Sequence, residues 1–217
     1  MENFNGIINW DSFKKNSDIF KKNKPCKWAF VENVFNQDFY SRLYETYPQW
    51  NKTWENPSDY ARSSQQKMIG LPYDYINKEN SEFSREWNKL IRYTATDEFK
   101  NNLAEFTGWD IQNVEYMSFM NSHKGDFSLP HLDGFKDCEG KTTFRLQMMF
   151  YFCKGWQSGD PGGTYISNGE DESKIIFEPS NLDNTMMCFD VTSPKAWHGS
   201  RYIVKDVRRQ ALSIRVL

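Results

Sequence analysis

Two hydrophobic periods divide the chain near residue 110. Before that point apolar side chains recur every three or four positions, and after it they fall in short blocks between polar turns. Residues 27–35, "KWAFVENVF", predict an early strand. Residues 36–48 predict a helix. Asn36 or Asp38 can cap its start, Phe39, Leu43 and Tyr47 recur at four-residue spacing, and Pro48 ends it. Residues 49–79 are polar, carry Pro57 and Pro72, and read as a long loop of the kind that serves as a lid or binding loop. Helix returns over 80–107. Phe83, Trp87, Leu90 and Ile91 form one stripe, and Phe99, Leu103 and Phe106 a second. Thr94 to Thr96 mark a break between the stripes, and Gly108 is a stop.

From residue 112 the pattern predicts strands. "NVEYMSFMNS", "TFRLQMMFYF", "GTYIS", "KIIFE", "TMMCFDV" and "RRQALSIRVL" are apolar runs bounded by polar, Gly or Pro turns. Helices first and strands afterwards predict an α+β fold whose strands close into a sandwich or barrel, with a double-sheet jelly roll or cupin-like barrel as the natural form. Neither repeats nor a Pro-, Gly- or Ser-rich linker interrupts the 217 residues, so one domain is expected over 1–217. Within it, 1–110 would be a helical lead-in with the lid loop, and 111–217 the β-barrel core.

Composition narrows the function classes. The 27 basic and 29 acidic residues leave a net charge of -2, and the pI is near 6.0. Neither nucleic acid nor an anionic membrane is favoured as a partner. Aromatic residues reach 17%, enough to supply core area despite few aliphatic side chains. No stretch approaches the apolar length of a membrane helix, and "MENFNGIINWDSFKK" lacks the charged start and apolar run of a signal peptide. Cys26, Cys138, Cys153 and Cys188 form no C-x-x-C pair, so neither a disulfide framework nor a cysteine-rich zinc site is expected. A cytoplasmic protein is the expectation.

The candidate chemistry starts at "SLPHLDGFKD", residues 128–137, where His131 and Asp133 stand two apart. Alone, an H-x-D triplet is more often a hydrogen-bonded polar turn than a metal site. The chain holds three histidines, His123, His131 and His198. Two histidines and a carboxylate make the facial ligand set of non-haem Fe(II), which leaves three positions open. His198 follows the apolar run "TMMCFDV" and could complete such a set across a barrel. The alternative for a histidine beside a tryptophan, as in "SPKAWHGS", is ordinary packing.

The second half of the chain, from about residue 112, resembles the Fe(II)/2-oxoglutarate-dependent dioxygenases, and the prolyl 4-hydroxylase-like branch in particular. "HLD" resembles the ligand turn. "MMFYFCKGWQSGDPGGTYI" resembles the branch's aromatic strand, tryptophan turn and Gly-Gly strand start. "TMMCFDVTSPKAWHGS" resembles the strand leading to the distal histidine, and "RRQALSIRV" the closing strand that carries a basic residue for the co-substrate. The lead-in "WAFVENVFNQDFYSRLYETYP" is also similar.

The resemblance implies a double-stranded β-helix core with supporting N-terminal helices. It implies Fe(II) bound by His131, Asp133 and His198, with 2-oxoglutarate as co-substrate and O2 as oxidant. Its implied reaction is hydroxylation of an unactivated C–H of a prolyl residue, a free amino acid or another small metabolite, with release of succinate and CO2. An aspartate at 133 points to hydroxylation, since related halogenases carry a small residue there. The distal co-substrate carboxylate would meet Arg209, two before the small residue Ala211, with Arg208 as the other candidate. Hydrophobicity alone would turn the Arg208 face inward, because Leu212, Ile214 and Val216 share it. Tyr151 matches a tyrosine that hydrogen-bonds the same carboxylate, though ordinary core is the simpler reading. Asn121 stands near a co-substrate-contacting tyrosine of relatives. Arg145 and Gln147 could reach substrate, Gly162 and Gly163 let the backbone turn into a strand, and His123 is expected in a turn. Two other readings stay open: another cupin-like metalloenzyme, such as a zinc hydrolase or isomerase, and a degenerate barrel acting as a binding module.

Overall fold

The computed structural model describes residues 3–56, 61–76, 78–133, 140 and 143–217. Helix α1 (Trp10–Lys22) precedes strand β1 (Trp28–Glu32) and helix α2 (Gln37–Glu45). Strands β2 (Arg62–Ser63) and β3 (Gln65–Gly70) come next, then a 3-10 turn over Pro72–Tyr75, then helices α3 (Arg85–Thr94) and α4 (Asp97–Thr107). The remainder is strand: β4 (Val114–Ser122), β5 (Phe127–His131), β6 (Leu146–Phe152), β7 (Thr164–Ser167), β8 (Ile175–Phe177), β9 (Asp183–Asp190), β10 (His198–Ser200) and β11 (Arg209–Val216).

Local chemistry explains the helix bounds. The Ser84 hydroxyl caps α3 by accepting from the Trp87 amide at 3.3 Å, and Thr96 caps α4 through the Phe99 amide at 3.2 Å. Gly108 ends α4 in the left-handed conformation at φ 72°, which suits a residue without a Cβ. The break expected at 94–96 is therefore a capped junction. Helix α1 has no counterpart among the elements expected from the sequence. Its apolar stripe is thin, but Phe13 and Phe20 on one face are fully buried.

The strands form two antiparallel sheets. The major sheet runs β1-β9-β6-β11-β4-β3 and the minor sheet β2-β5-β10-β7-β8. The major sheet has two different faces. Its outer face, with Phe119, Phe150, Leu212 and Ile214, packs under the helices against Phe20, Leu43, Trp87 and Leu103. Its inner face contributes Met149, Tyr151, Met187 and Ala211 to a second cluster with Ile166 of the minor sheet. The two sheets therefore enclose a space between them.

Two expectations are corrected here. The span 49–79 is not a single loop: β2 and β3 lie within it, and β3 pairs with β4 as the sixth strand of the major sheet. Its alternation was hidden because "QQKMIG" edges the sheet and exposes Met68 at 41%. The barrel is also not confined to 111–217, since β1, from residues 28–32, pairs with β9 at the other edge. The strands β5 and β10 also lie outside the apolar runs of the sequence. β5 contains Pro130, and β10 has only three residues. Residues 57–60 and 77 of the expected loop, and 134–137 of the H-x-D stretch, lie outside the described residues.

Candidate metal centre and its cavity

His131 closes β5 and His198 opens β10, and the two are Cα partners in the antiparallel ladder. Asp133 follows His131 by two residues and folds back between the rings. Its carboxylate oxygens stand 3.6 Å from His131 Nε2 and 3.5 Å from His198 Nε2. The three potential ligand atoms all lie within 4.8 Å of one another. The group brings together all three residues expected as metal ligands.

The backbone sets the ring tautomers. His131 Nδ1 lies 2.8 Å from the Leu129 carbonyl, and His198 Nδ1 lies 2.9 Å from the Ala196 carbonyl. A carbonyl oxygen only accepts, so each Nδ1 carries a proton; each Nε2 faces Asp133, donating to it when the ring is doubly protonated and offering its lone pair to a metal when the ring is neutral. Such a tie at the far nitrogen is the usual support of a metal-binding histidine. The Phe189 ring, 4.3 Å from the His198 ring, fixes its plane from the major sheet. Burial works against ionisation of Asp133, but hydrogen bonds from the two imidazoles outweigh it and hold the carboxyl well below the usual carboxylate range. Burial likewise disfavours the charged form of His131. The Asp133 carboxylate and the Leu129 carbonyl outweigh that and raise it above an ordinary histidine. Two neutral nitrogens and one anionic oxygen would make a donor set that fits a divalent first-row metal, and the three residues line a cavity.

That cavity lies between the sheets, with a volume of about 770 Å³ including its open mouth. His131, Asp133 and His198 line it together with Arg209, Thr164 and Ser122 at one end. Arg209 is 4% exposed. Its Nη2 donates to the Thr164 hydroxyl at 3.0 Å, and its buried Nε has no partner. Among the described residues it forms no ion pair. A buried guanidinium without a counter-charge is costly unless an anion completes it. The alternation that puts Arg209 inside also explains Leu212, Ile214 and Val216. They face outward from the cavity but are buried under the helices, so hydrophobicity alone misled. Arg208 is exposed.

Tyr151 stands deeper. It is fully buried, its hydroxyl accepts from the Thr164 amide at 3.1 Å, and the Arg209 head lies 5.3 Å from its ring. It supports Arg209 and Thr164 from behind and is not itself a lining residue. Asn121 is on the opposite face of β4. Met120 and Ser122 line the cavity, so alternation turns Asn121 toward the side of Met117 and Phe119. This corrects the expected co-substrate contact. Arg145 also points elsewhere, with its head 3.6 Å from the Trp109 ring, whereas Gln147 does line the cavity. His123 sits in the turn after β4, where its amide donates to Asp126 at 2.7 Å.

Several lining residues carry no signal in the sequence. Thr164 directly follows the Gly-Gly pair, and Arg62 and Ser63 come from the span read as loop. Gly199 is a further case. A Cβ there would meet the Ser128 carbonyl at 2.5 Å and the Tyr165 hydroxyl at 2.4 Å, so glycine is what lets β10 carry His198 against β5. Gly162 at φ 121° serves the turn into β7, where a side chain would also strike Ile203 at 2.8 Å.

Among solved structures, the chain is similar to a Pseudomonas putida prolyl-4-hydroxylase. The TM-score is 0.64 at 13% identity, over 94% of this chain and 97% of that one. A Trichoplax adhaerens prolyl hydroxylase, in complex with a hypoxia inducible factor peptide fragment, aligns with a TM-score of 0.62 at 12% identity, over 95% and 91%. A 2OG-Fe(II) oxygenase family oxidoreductase from Burkholderia pseudomallei gives 0.63 at 8% identity, over 96% and 90%. The fold is the double-stranded β-helix of the 2-oxoglutarate/Fe(II) oxygenases. No family model matches the sequence, and no curated protein does. The likeness is therefore one of architecture, α+β with helices behind the major sheet. No described helix is long and apolar enough to cross a membrane.

Proposed function

We propose that the protein is an Fe(II)- and 2-oxoglutarate-dependent oxygenase that hydroxylates an unactivated C–H of a small-molecule or peptidyl substrate. One observation carries this reading. A two-histidine, one-carboxylate group and a buried arginine with an unpartnered Nε line the same cavity. His131 and His198 would offer Nε2 to the metal, and Asp133 its carboxylate. Arg209 would receive the distal carboxylate of 2-oxoglutarate, with Thr164 beside it and Tyr151 holding Thr164 in place. When bound, Fe(II), 2-oxoglutarate and O2 supply the oxidation, with succinate and CO2 released. The chain's own part is to hold these groups, orient the substrate and screen the reaction from water.

Arg209 also separates this reading from a zinc hydrolase or isomerase on the same barrel. Such an enzyme needs the three ligands but has no use for a buried cation behind them. A retired barrel acting as a binding module needs neither. The test is anaerobic addition of Fe(II) and 2-oxoglutarate, which should produce a weak visible charge-transfer band that vanishes in Asp133→Ala. If 2-oxoglutarate neither binds nor gives succinate with any substrate, the reading fails.

A further inference from the structure

A second arginine enters the cavity from its other end. Arg215 follows Arg209 by six residues on β11 (215 − 209), so alternation turns both toward the cavity, and both line it. Their Cα atoms stand roughly 20 Å apart along the strand. Arg215 is the Cα partner of Gln147, and Gln147 is the partner of Phe189, whose ring touches His198. The strand register thus carries Arg215 to the level of the metal centre, across from the end where Arg209 meets Thr164.

The head of Arg215 is held in one orientation. Its Nε donates to Gln147 Oε1 at 3.1 Å. Gln147 Nε2 donates in turn to the Ser213 hydroxyl at 2.8 Å, which fixes the amide. The guanidinium lies 4.7 Å from both the Tyr116 and the Phe144 ring centroids. The Nε bond and the two ring contacts hold the fork in place, and a held fork recognises a carboxylate through two parallel N–H groups.

We infer that Arg215, oriented by Gln147, binds a carboxylate of the substrate, and that the substrate is a small carboxylic acid such as a free amino acid. The inference rests on the oxygenase reading above and narrows it. An internal residue of a neutral peptide brings no anion to this fork, whereas a free acid carries one within a few bonds of the oxidised carbon.

The experiment uses the full chain with Fe(II) and 2-oxoglutarate. Free amino acids and small hydroxy and dicarboxylic acids are screened for succinate release. Each is paired with its primary amide, and neutral and Asp- or Glu-containing peptides form a third arm. Free acids should be the hits, with their amides at least tenfold slower. Binding of the best acid, followed by calorimetry on the Mn(II)- and 2-oxoglutarate-loaded protein, should weaken about 100-fold in Arg215→Met and less in Arg215→Lys. Affinity for 2-oxoglutarate should stay within twofold in both variants, which also shows that they fold. The inference is overturned if amides or neutral peptides match the acids, if only acidic peptides respond, or if no acid raises turnover. It is also overturned if Arg215→Met binds the best acid as the parent does. Failure of the parent protein to bind 2-oxoglutarate would instead remove the oxygenase reading itself.

Discussion

His131 and His198 are 67 positions apart in the chain (198 − 131), yet they are Cα partners across β5 and β10, with ring centroids 4.3 Å apart. Each ring is tied at Nδ1 to the carbonyl two residues before it. The same local device on two strands thus turns both Nε2 atoms toward one carboxylate. A preorganised donor set of this kind binds metal without first having to be assembled.

Metal should stabilise the folded chain through that set. With Mn(II) at 100 times its dissociation constant, linkage adds about 2.7 kcal/mol to unfolding. A thermal melt should rise on adding Mn(II) and fall back with a chelator. Asp133→Ala should abolish the rise, because two neutral imidazoles alone hold the ion at least 100-fold more weakly. A melt in that variant that still responds to Mn(II) would dismiss Asp133 as a ligand.

Arg209 should trade stability for binding. Replacing it with methionine removes a buried charge that lacks an ion-pair partner among the described residues. The ligand-free protein should then gain about 1–4 kcal/mol, the range seen when buried ionic groups give way to apolar ones. Urea titration measures this. The same Arg209→Met variant should lose 2-oxoglutarate affinity by two orders of magnitude or more. Equal affinity in parent and variant would discard the assignment.

Gly199→Ala should damage the centre without touching a ligand. The added methyl meets the Ser128 carbonyl and the Tyr165 hydroxyl at 2.5 and 2.4 Å. Overpacking of this sort costs about 1–3 kcal/mol. Because the clash separates β10 from β5, Mn(II) affinity should fall along with the melting temperature. A variant that loses stability but keeps full affinity would show that the strand contact does not position His198.

Alkaline pH should weaken the fold. Burial pushes the Cys26 thiol up to about 12 and the Cys153 thiol up to about 11, from 9.0 in the open chain. Both shifts are upward, so the unfolded chain loses these protons first as pH rises. The stability they contribute is complete below pH 9 and is lost as pH climbs through 11 and 12. Urea midpoints taken across pH 8 to 11 should decline, and iodoacetamide at pH 8 should leave both thiols unlabelled until the chain unfolds.

Much of this was legible along the chain. The four-residue spacing of Phe39, Leu43 and Tyr47 is α2 and the buried residues after it, and the stripes through Trp87 and Phe106 are α3 and α4. Gln147, expected from the sequence within reach of substrate, lines the cavity. The illegible parts share a cause. β3 is an edge strand, β10 is three residues long, and α1 buries only a narrow stripe, so none carries a hydrophobic period strong enough to read. Asn121 illustrates the limit of motif position. A shift of one residue on a strand moves a side chain to the other face, and Met120 and Ser122 hold the cavity side instead.

The sequence by itself determined the chemistry available: two imidazoles and a carboxylate, an arginine two before an alanine, and a periodicity that changes from helix to strand. Which of these groups meet was decided only by the tertiary structure. Local interactions set periodicity, caps and ring tautomers, and they can be read from neighbours in the chain. The convergence of His131, Asp133 and His198, and the inward turn of Arg209 rather than Arg208, depend on which face of each strand the helices cover. That choice is made by burial summed over the whole major sheet, which no short stretch of the chain encodes.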